Sequence, residues 1–161
     1  MLKHFCDWLA DTSLSLLLSG TEWFVPAIQT IHILTLSVVV SVLAMLGFHL
    51  LRPARTSPPL NSSVTTYVPW VWVCLVILFV TGALLTITEP ARELLNTAFR
   101  LKMLLVGVLI AMTAVLWSTV RRNGNYWTQN ARRRLLGKAF AISLFVVCIG
   151  IVAAGRLIAY V

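Results

Sequence analysis

Three nitrogen-bearing side chains, His32, Lys102 and Arg156, lie within or at the ends of long apolar segments of this chain. Gln29 precedes His32 on the same segment. A neutral imidazole can bind metals or haem iron, and lysine or arginine can pair with haem propionates or other anionic groups. An ionisable residue in a membrane span is costly without partners, so each one is a candidate functional residue. The predicted cofactor-binding residues are His32, Gln29, Lys102 and Arg156.

Haem b and copper are the two cofactors that this pattern favours. His49 follows His32 on the same segment at a distance of about 25 Å along a helix axis, too far to share one haem. The second haem ligand would then be His4, Met103 or a residue of another subunit, or it would be absent. Copper(I) prefers soft sulfur ligands, so Met103 and Cys148 could join His32 at similar depth. The sequence contains no CxxC pair and no Met-rich stretch, and both cofactors remain open.

The composition indicates an integral membrane protein. Hydrophobic residues make up 59% of the 161 residues and charged residues 11%, whereas soluble domains contain roughly 45–50% apolar residues. Segments long enough for a transmembrane helix, which needs about 20 residues, occur at 24–51, 68–87, 99–120 and 135–154. We predict an all-α fold in which residues 1–161 form a single membrane domain, a four-helix up-and-down bundle.

Two further helices are expected outside the spans. Residues 1–20 predict an amphipathic helix at the membrane interface, because Asp7 and Asp11 interrupt the apolar run that a secretory signal requires. The stretch EPARELLNT, between the second and third spans, predicts a short surface helix that begins at Pro90.

Basic residues are concentrated at one end of the predicted bundle, in and beside the first and third links between spans. They are Arg52, Arg55, Arg121, Arg122, Arg132, Arg133, Arg134 and Lys138. The positive-inside rule places this end in the cytoplasm, so we predict a bacterial inner-membrane protein with both termini in the periplasm. The arginines would contact anionic lipid headgroups, which explains the net charge of +8 without nucleic-acid binding.

Several short motifs occur in an order that resembles a known family. They are Trp23 and Pro26 ahead of IHIL, then TEPARELLNTAFRLKMLL from Thr88, and finally GRLIAY from Gly155. The order resembles an uncharacterised bacterial four-span inner-membrane family related to copper-resistance protein D (CopD)-like membrane proteins, over nearly the whole chain. The resemblance implies a four-helix inner-membrane bundle and, through the CopD-like relatives, copper handling. The motif positions here are Trp23, Pro26, His32, Pro90, Asn96, Phe99, Lys102, Gly155, Arg156 and Tyr160.

Three functions agree with these observations. The first is binding of haem b or copper at an outer-leaflet site around His32, for electron transfer or metal handling. The second is a non-catalytic accessory subunit of a larger membrane complex or homo-oligomer. The third is transport of copper or a small solute. An enzyme is not favoured, because the sequence contains neither a hydrolytic nor a nucleotide-binding motif.

Overall fold

The computed structural model describes residues 2–13, 15, 18, 20–51, 60–94, 96–124, 126–127 and 129–158, and these ranges contain no β-strand. The helices delimited within them are α1 (Leu2–Ala10), α2 (Phe24–Leu51), α3 (Leu60–Thr88), α4 (Pro90–Leu94), α5 (Thr97–Arg122) and α6 (Ala131–Leu157). The predicted all-α fold is confirmed. The short helix predicted to begin at Pro90 is α4.

Four of these helices, α2, α3, α5 and α6, are long and apolar enough to cross a membrane. The predicted spans are therefore present, although three of them are longer than expected. The largest difference is in α3, which begins at Leu60 instead of residue 68 and continues through Pro69. The helix accommodates Thr65 in this polar part because Thr65 Oγ1 donates a hydrogen bond of 2.8 Å to the carbonyl oxygen of Asn61.

The four long helices pack side by side in a closed ring. The backbones of α2 and α5 each approach those of α3 and α6, whereas the backbones of the diagonal pairs α2–α5 and α3–α6 stay further apart within the described residues. Helices that follow one another along the chain are thus neighbours in space, and the last closes the ring against the first. This is the up-and-down four-helix bundle that the sequence predicts.

Packing differs between the two halves of the bundle. We call the half near the arginine-rich links the apolar core, and the other half the open half. Residues with no exposed surface in the core include Val39, Leu43, Leu46, Val64 and Val68. In α5, burial of this kind begins only at Leu109. The first two turns of α5 and the facing part of α2 instead carry mostly half-buried or exposed side chains, so the open half is the place where polar residues are tolerated.

Two short helices, α1 and α4, pack together at the end of the open half. α1 contacts α4 and the end of α3, and Ser15 Oγ donates a hydrogen bond of 2.9 Å to the carbonyl oxygen of Ile87. Beyond α4, the side chain of Asn96 accepts a hydrogen bond from the backbone amide of Ala98 and so caps α5. The helix predicted over residues 1–20 is present as α1 over Leu2–Ala10, where His4, Asp7 and Trp8 are exposed; its position at a membrane interface stays a prediction.

Gly47 allows α2 and α6 to approach closely in the apolar core. A Cβ atom at this position would lie 3.1 Å from Cε2 of Phe145, a ring already packed against Phe48 with centroids 5.0 Å apart. We expect Gly47→Val to lower the free energy of unfolding by about 1–3 kcal/mol, because the branched side chain overpacks this contact. Thermal unfolding in detergent would measure the loss. Gly107→Val is the matched control, since no described atom lies within 4 Å of a Cβ there; equal losses would contradict the prediction.

Candidate functional site

His32 points from α2 towards α3 in the open half. Its Nδ1 lies 2.8 Å from Oγ1 of Thr81, and its Cε1 would lie 3.5 Å from a Cβ atom on Gly82. Thr81 is only 7% exposed, whereas the imidazole is half-buried. Thr81 therefore provides the hydrogen-bonding partner, and the absence of a side chain at Gly82 leaves room for the ring.

The hydrogen bonds of Thr81 favour a proton on Nδ1 of His32. Thr81 Oγ1 lies 2.8 Å from the carbonyl oxygen of Ile77, one turn earlier in α3, which is a common back-bond for threonine in helices. A hydroxyl group has one proton, and donation to this carbonyl leaves the oxygen to accept from Nδ1–H of His32. The lone pair of the imidazole is then on Nε2. Histidines that bind metals typically have this arrangement, with the second ring nitrogen donating to a neighbour.

Lys102 reaches the same region from α5. Its Nζ would lie 4.0 Å from a Cβ atom on Gly155 of α6, and its charge interacts with His32 and with Glu93 of α4. The side chain is half-buried. We define the His32 layer as His32, Thr81, Lys102 and Gly155, one residue from each long helix.

The other predicted cofactor ligands lie outside this layer. Gln29 and Arg156 are exposed, and Met103 is 49% exposed although it follows Lys102 directly. A helix turns by about 100° per residue, so neighbours in sequence face different directions. Met103 and Arg156 therefore face away from the layer, whereas Gln29 lies one turn from His32 on the same side of α2 and is exposed.

Cys148 and His4, the remaining candidate metal ligands, also lie away from His32. Cys148 is part of the apolar core, and its distance from Gly155 along α6 is about 10 Å at 1.5 Å per residue. The depth shared with His32 that the sequence suggested is therefore absent. His4 is exposed on α1. Across the described ranges, no group of three or more His, Cys, Asp or Glu residues could hold a metal ion.

Sequence reasoning missed Thr81 and Gly82. Two other threonines, Thr86 and Thr88, lie nearer the end of α3. Thr86 Oγ1 instead bonds within its own helix, at 2.9 Å from the carbonyl oxygen of Gly82. A polar residue followed by glycine inside an apolar run is the signal that could have identified this pair, because it provides both a bonding group and space.

No protein-family model, curated protein or solved structure matches the chain. The resemblance to CopD-like membrane proteins therefore stays a prediction. The function has to be inferred from the chemistry of the His32 layer.

Proposed function

We propose that this membrane protein binds haem b through Nε2 of His32 and serves in electron transfer. The observation that carries the proposal is the hydrogen bond between His32 Nδ1 and Thr81 Oγ1, which orients the ring; with Nδ1 as the donor, the lone pair is on Nε2. Bound haem would supply a one-electron redox couple. The protein would hold the iron ligand in a half-buried position between α2 and α3, away from bulk water.

The charge in the layer favours haem over copper. Lys102 is electrostatically coupled to His32, and a nearby ammonium group repels a bare metal cation but attracts an anionic cofactor. Haem b carries two propionates, whereas a copper ion brings only positive charge. The sulfur atoms that would favour copper belong to Met103 and Cys148, and both residues lie outside the layer. A second axial ligand, if there is one, would come from elsewhere in the protein or from another subunit.

The same hydrogen bond favours a second candidate function, a non-catalytic accessory subunit. In that case the bond between His32 and Thr81 only ties α2 to α3, and the protein contributes packing surface to a larger membrane complex or homo-oligomer. We favour transport of copper or a solute least. Residues such as Leu43 and Val68 have no exposed surface and fill the bundle between the layer and the arginine-rich end.

The visible spectrum and metal content of the purified protein test these functions together. We expect a reduced-minus-oxidised spectrum with b-type bands and a stoichiometric amount of haem iron. Stoichiometric copper without haem would replace the haem proposal by copper handling. A colourless, metal-free protein that purifies in a stable larger assembly would contradict cofactor binding and favour the accessory subunit.

We also propose that the arginine-rich links face the cytoplasm of a bacterial cell and that the His32 layer lies in the outer leaflet of the inner membrane. The support is the distribution of Lys and Arg, which determines membrane topology. Arg121, Arg132 and Arg134 are exposed at that end, where they would meet anionic headgroups.

Cysteine labelling tests the orientation. In a background with the three native cysteines replaced, we expect a membrane-impermeant maleimide to label Trp8→Cys in intact spheroplasts. Asn130→Cys, at the other end of the bundle, should be labelled only after permeabilisation, because both positions are exposed but on opposite sides. The reverse pattern would contradict the proposed orientation.

A further inference from the structure

We infer that Lys102 and Gly155 form a carboxylate-binding subsite beside His32, and that the ligand of this site is an amphiphile with a free carboxylate. The inference extends the proposed function. It rests on that function for the position of the ligand next to His32. It assigns Lys102 as the residue that selects an acid over a neutral molecule of the same shape.

Lys102 lacks a counterion at short range. In the described part of the chain, no hydrogen bond or short-range ion pair joins its ammonium group to another residue, and the carboxylate of Glu93 attracts it from a longer distance. A half-buried cation inside a membrane bundle is costly unless it has a partner. An anionic ligand from outside the described residues would therefore give Lys102 a closer partner than Glu93.

Gly155 provides the space for an anion next to the ammonium group. A Cβ atom there would lie 4.0 Å from Nζ, and larger side chains would extend into the region around Nζ. Gly155 is also in the last turn of α6, whose carbonyl groups attract a cation. That attraction is the structural alternative: Lys102 would then stabilise the end of α6 and bind no ligand.

Two sources could supply the carboxylate: a haem propionate, or the headgroup of a free fatty acid in the membrane. Both are amphiphilic acids that can enter the open half, and both would place the carboxylate at Lys102. Comparing each acid with its neutral analogue separates recognition of the carboxylate from binding of the apolar part. Haem b compared with its dimethyl ester tests the first source, and dodecanoate compared with dodecanol tests the second.

The first measurement is the affinity of the detergent-purified protein for haem b and for haem dimethyl ester. We expect the wild-type protein to prefer the acid by at least tenfold, because an ion pair in a partly buried site is weakly screened. Lys102→Met should remove this preference and leave binding of the ester unchanged, while Lys102→Arg should retain most of it. Arg100→Met is the matched control, since Arg100 is an exposed cation on the same helix. An acid preference that survives in Lys102→Met would overturn the subsite and leave the haem proposal intact.

The second measurement does not require haem. Dodecanoate should raise the thermal unfolding temperature of the wild-type protein more than dodecanol does, and this difference should disappear in Lys102→Met. If neither form of haem binds but the fatty acid stabilises in this way, the subsite stands and the haem proposal fails. If Lys102→Met only lowers the unfolding temperature and no acid is preferred in either pair, Lys102 is a structural partner of α6 and the inference is wrong.

Discussion

His32→Ala should abolish haem binding while the bundle remains folded. The substitution removes Nε2, the proposed iron ligand, so we expect the ratio of haem to protein to fall to less than about a tenth of the wild-type value. The cost in folding should be small, because the ring is half-buried and one hydrogen bond contributes about 0.5–1.5 kcal/mol. Visible absorbance and thermal unfolding of the same preparation measure both effects. His49→Ala is the control, since His49 lies at the opposite end of α2; equal haem loss in both variants would contradict a specific ligand.

Thr81→Val separates a haem ligand from a simple contact between helices. Valine keeps the shape of threonine but cannot accept the proton of His32 Nδ1. Where His32 binds iron, loss of such an orienting partner typically weakens metal affinity about 10–100-fold, so the variant should bind haem weakly and with a shifted spectrum. Thr86→Val is the control, because that hydroxyl bonds only to the carbonyl oxygen of Gly82.

The accessory-subunit function makes a different prediction for the same variants. Thr81→Val and His32→Ala would then lower the free energy of unfolding by similar amounts, and the double variant would lose little more, since both remove one bond. Neither change would alter the visible spectrum. This result would leave a hydrogen bond between α2 and α3 as the complete explanation of His32.

Composition and segment length were sufficient to predict the bundle. The bilayer requires about 20 apolar residues per span, and short links place consecutive helices side by side. The ends were harder to predict, because Thr65 and its neighbours look like a polar link but are helical in α3. The hydroxyl group of Thr65 finds its partner within the helix, at the carbonyl oxygen of Asn61, which hydropathy does not register.

The candidate site could be predicted only in part, because depth along a helix says nothing about direction around it. His32 and Lys102 both lie in the open half, where their charges are coupled. Arg156 is next to Gly155 in sequence, yet it is exposed while Gly155 adjoins Lys102. The depth of Cys148 relative to His32 depends on the register between helices. Contacts between helices determine this register, for example that of Leu105 with Gly150, where a Cβ atom would lie 3.0 Å from Leu105 Cδ1.

The division between an apolar core and an open half explains how the bundle can hold polar residues. Leu116 and Leu144 are almost completely buried, and dense packing of this kind stabilises all four helices at once. The open half can then leave side chains half-buried without loss of the fold. Substitutions in the His32 layer should therefore affect ligand binding far more than stability.

Substitution of Gly82 by larger residues tests whether haem binding can be lost without loss of stability, and it changes no polar residue. A Cβ atom on Gly82 would lie 3.5 Å from His32 Cε1, which is an ordinary contact distance. Gly82→Ala should therefore retain haem. Gly82→Leu extends three further carbon atoms from that Cβ towards the ring, so we expect the imidazole to be displaced and haem binding to fall by at least tenfold.

The free energy of unfolding of the Gly82 variants should rise slightly or stay the same, even where haem binding falls. Replacement of a glycine within α3 by alanine or leucine favours the helix by up to about 1 kcal/mol, which offsets the cost of moving a half-buried ring. Loss of haem with an unchanged unfolding temperature would show that Gly82 maintains the position of His32. Gly107→Leu is the control, because a side chain there meets no described atom within 4 Å. Full haem affinity in Gly82→Leu would mean that the ligand does not depend on the observed position of His32, and the proposed iron ligand would have to be another residue.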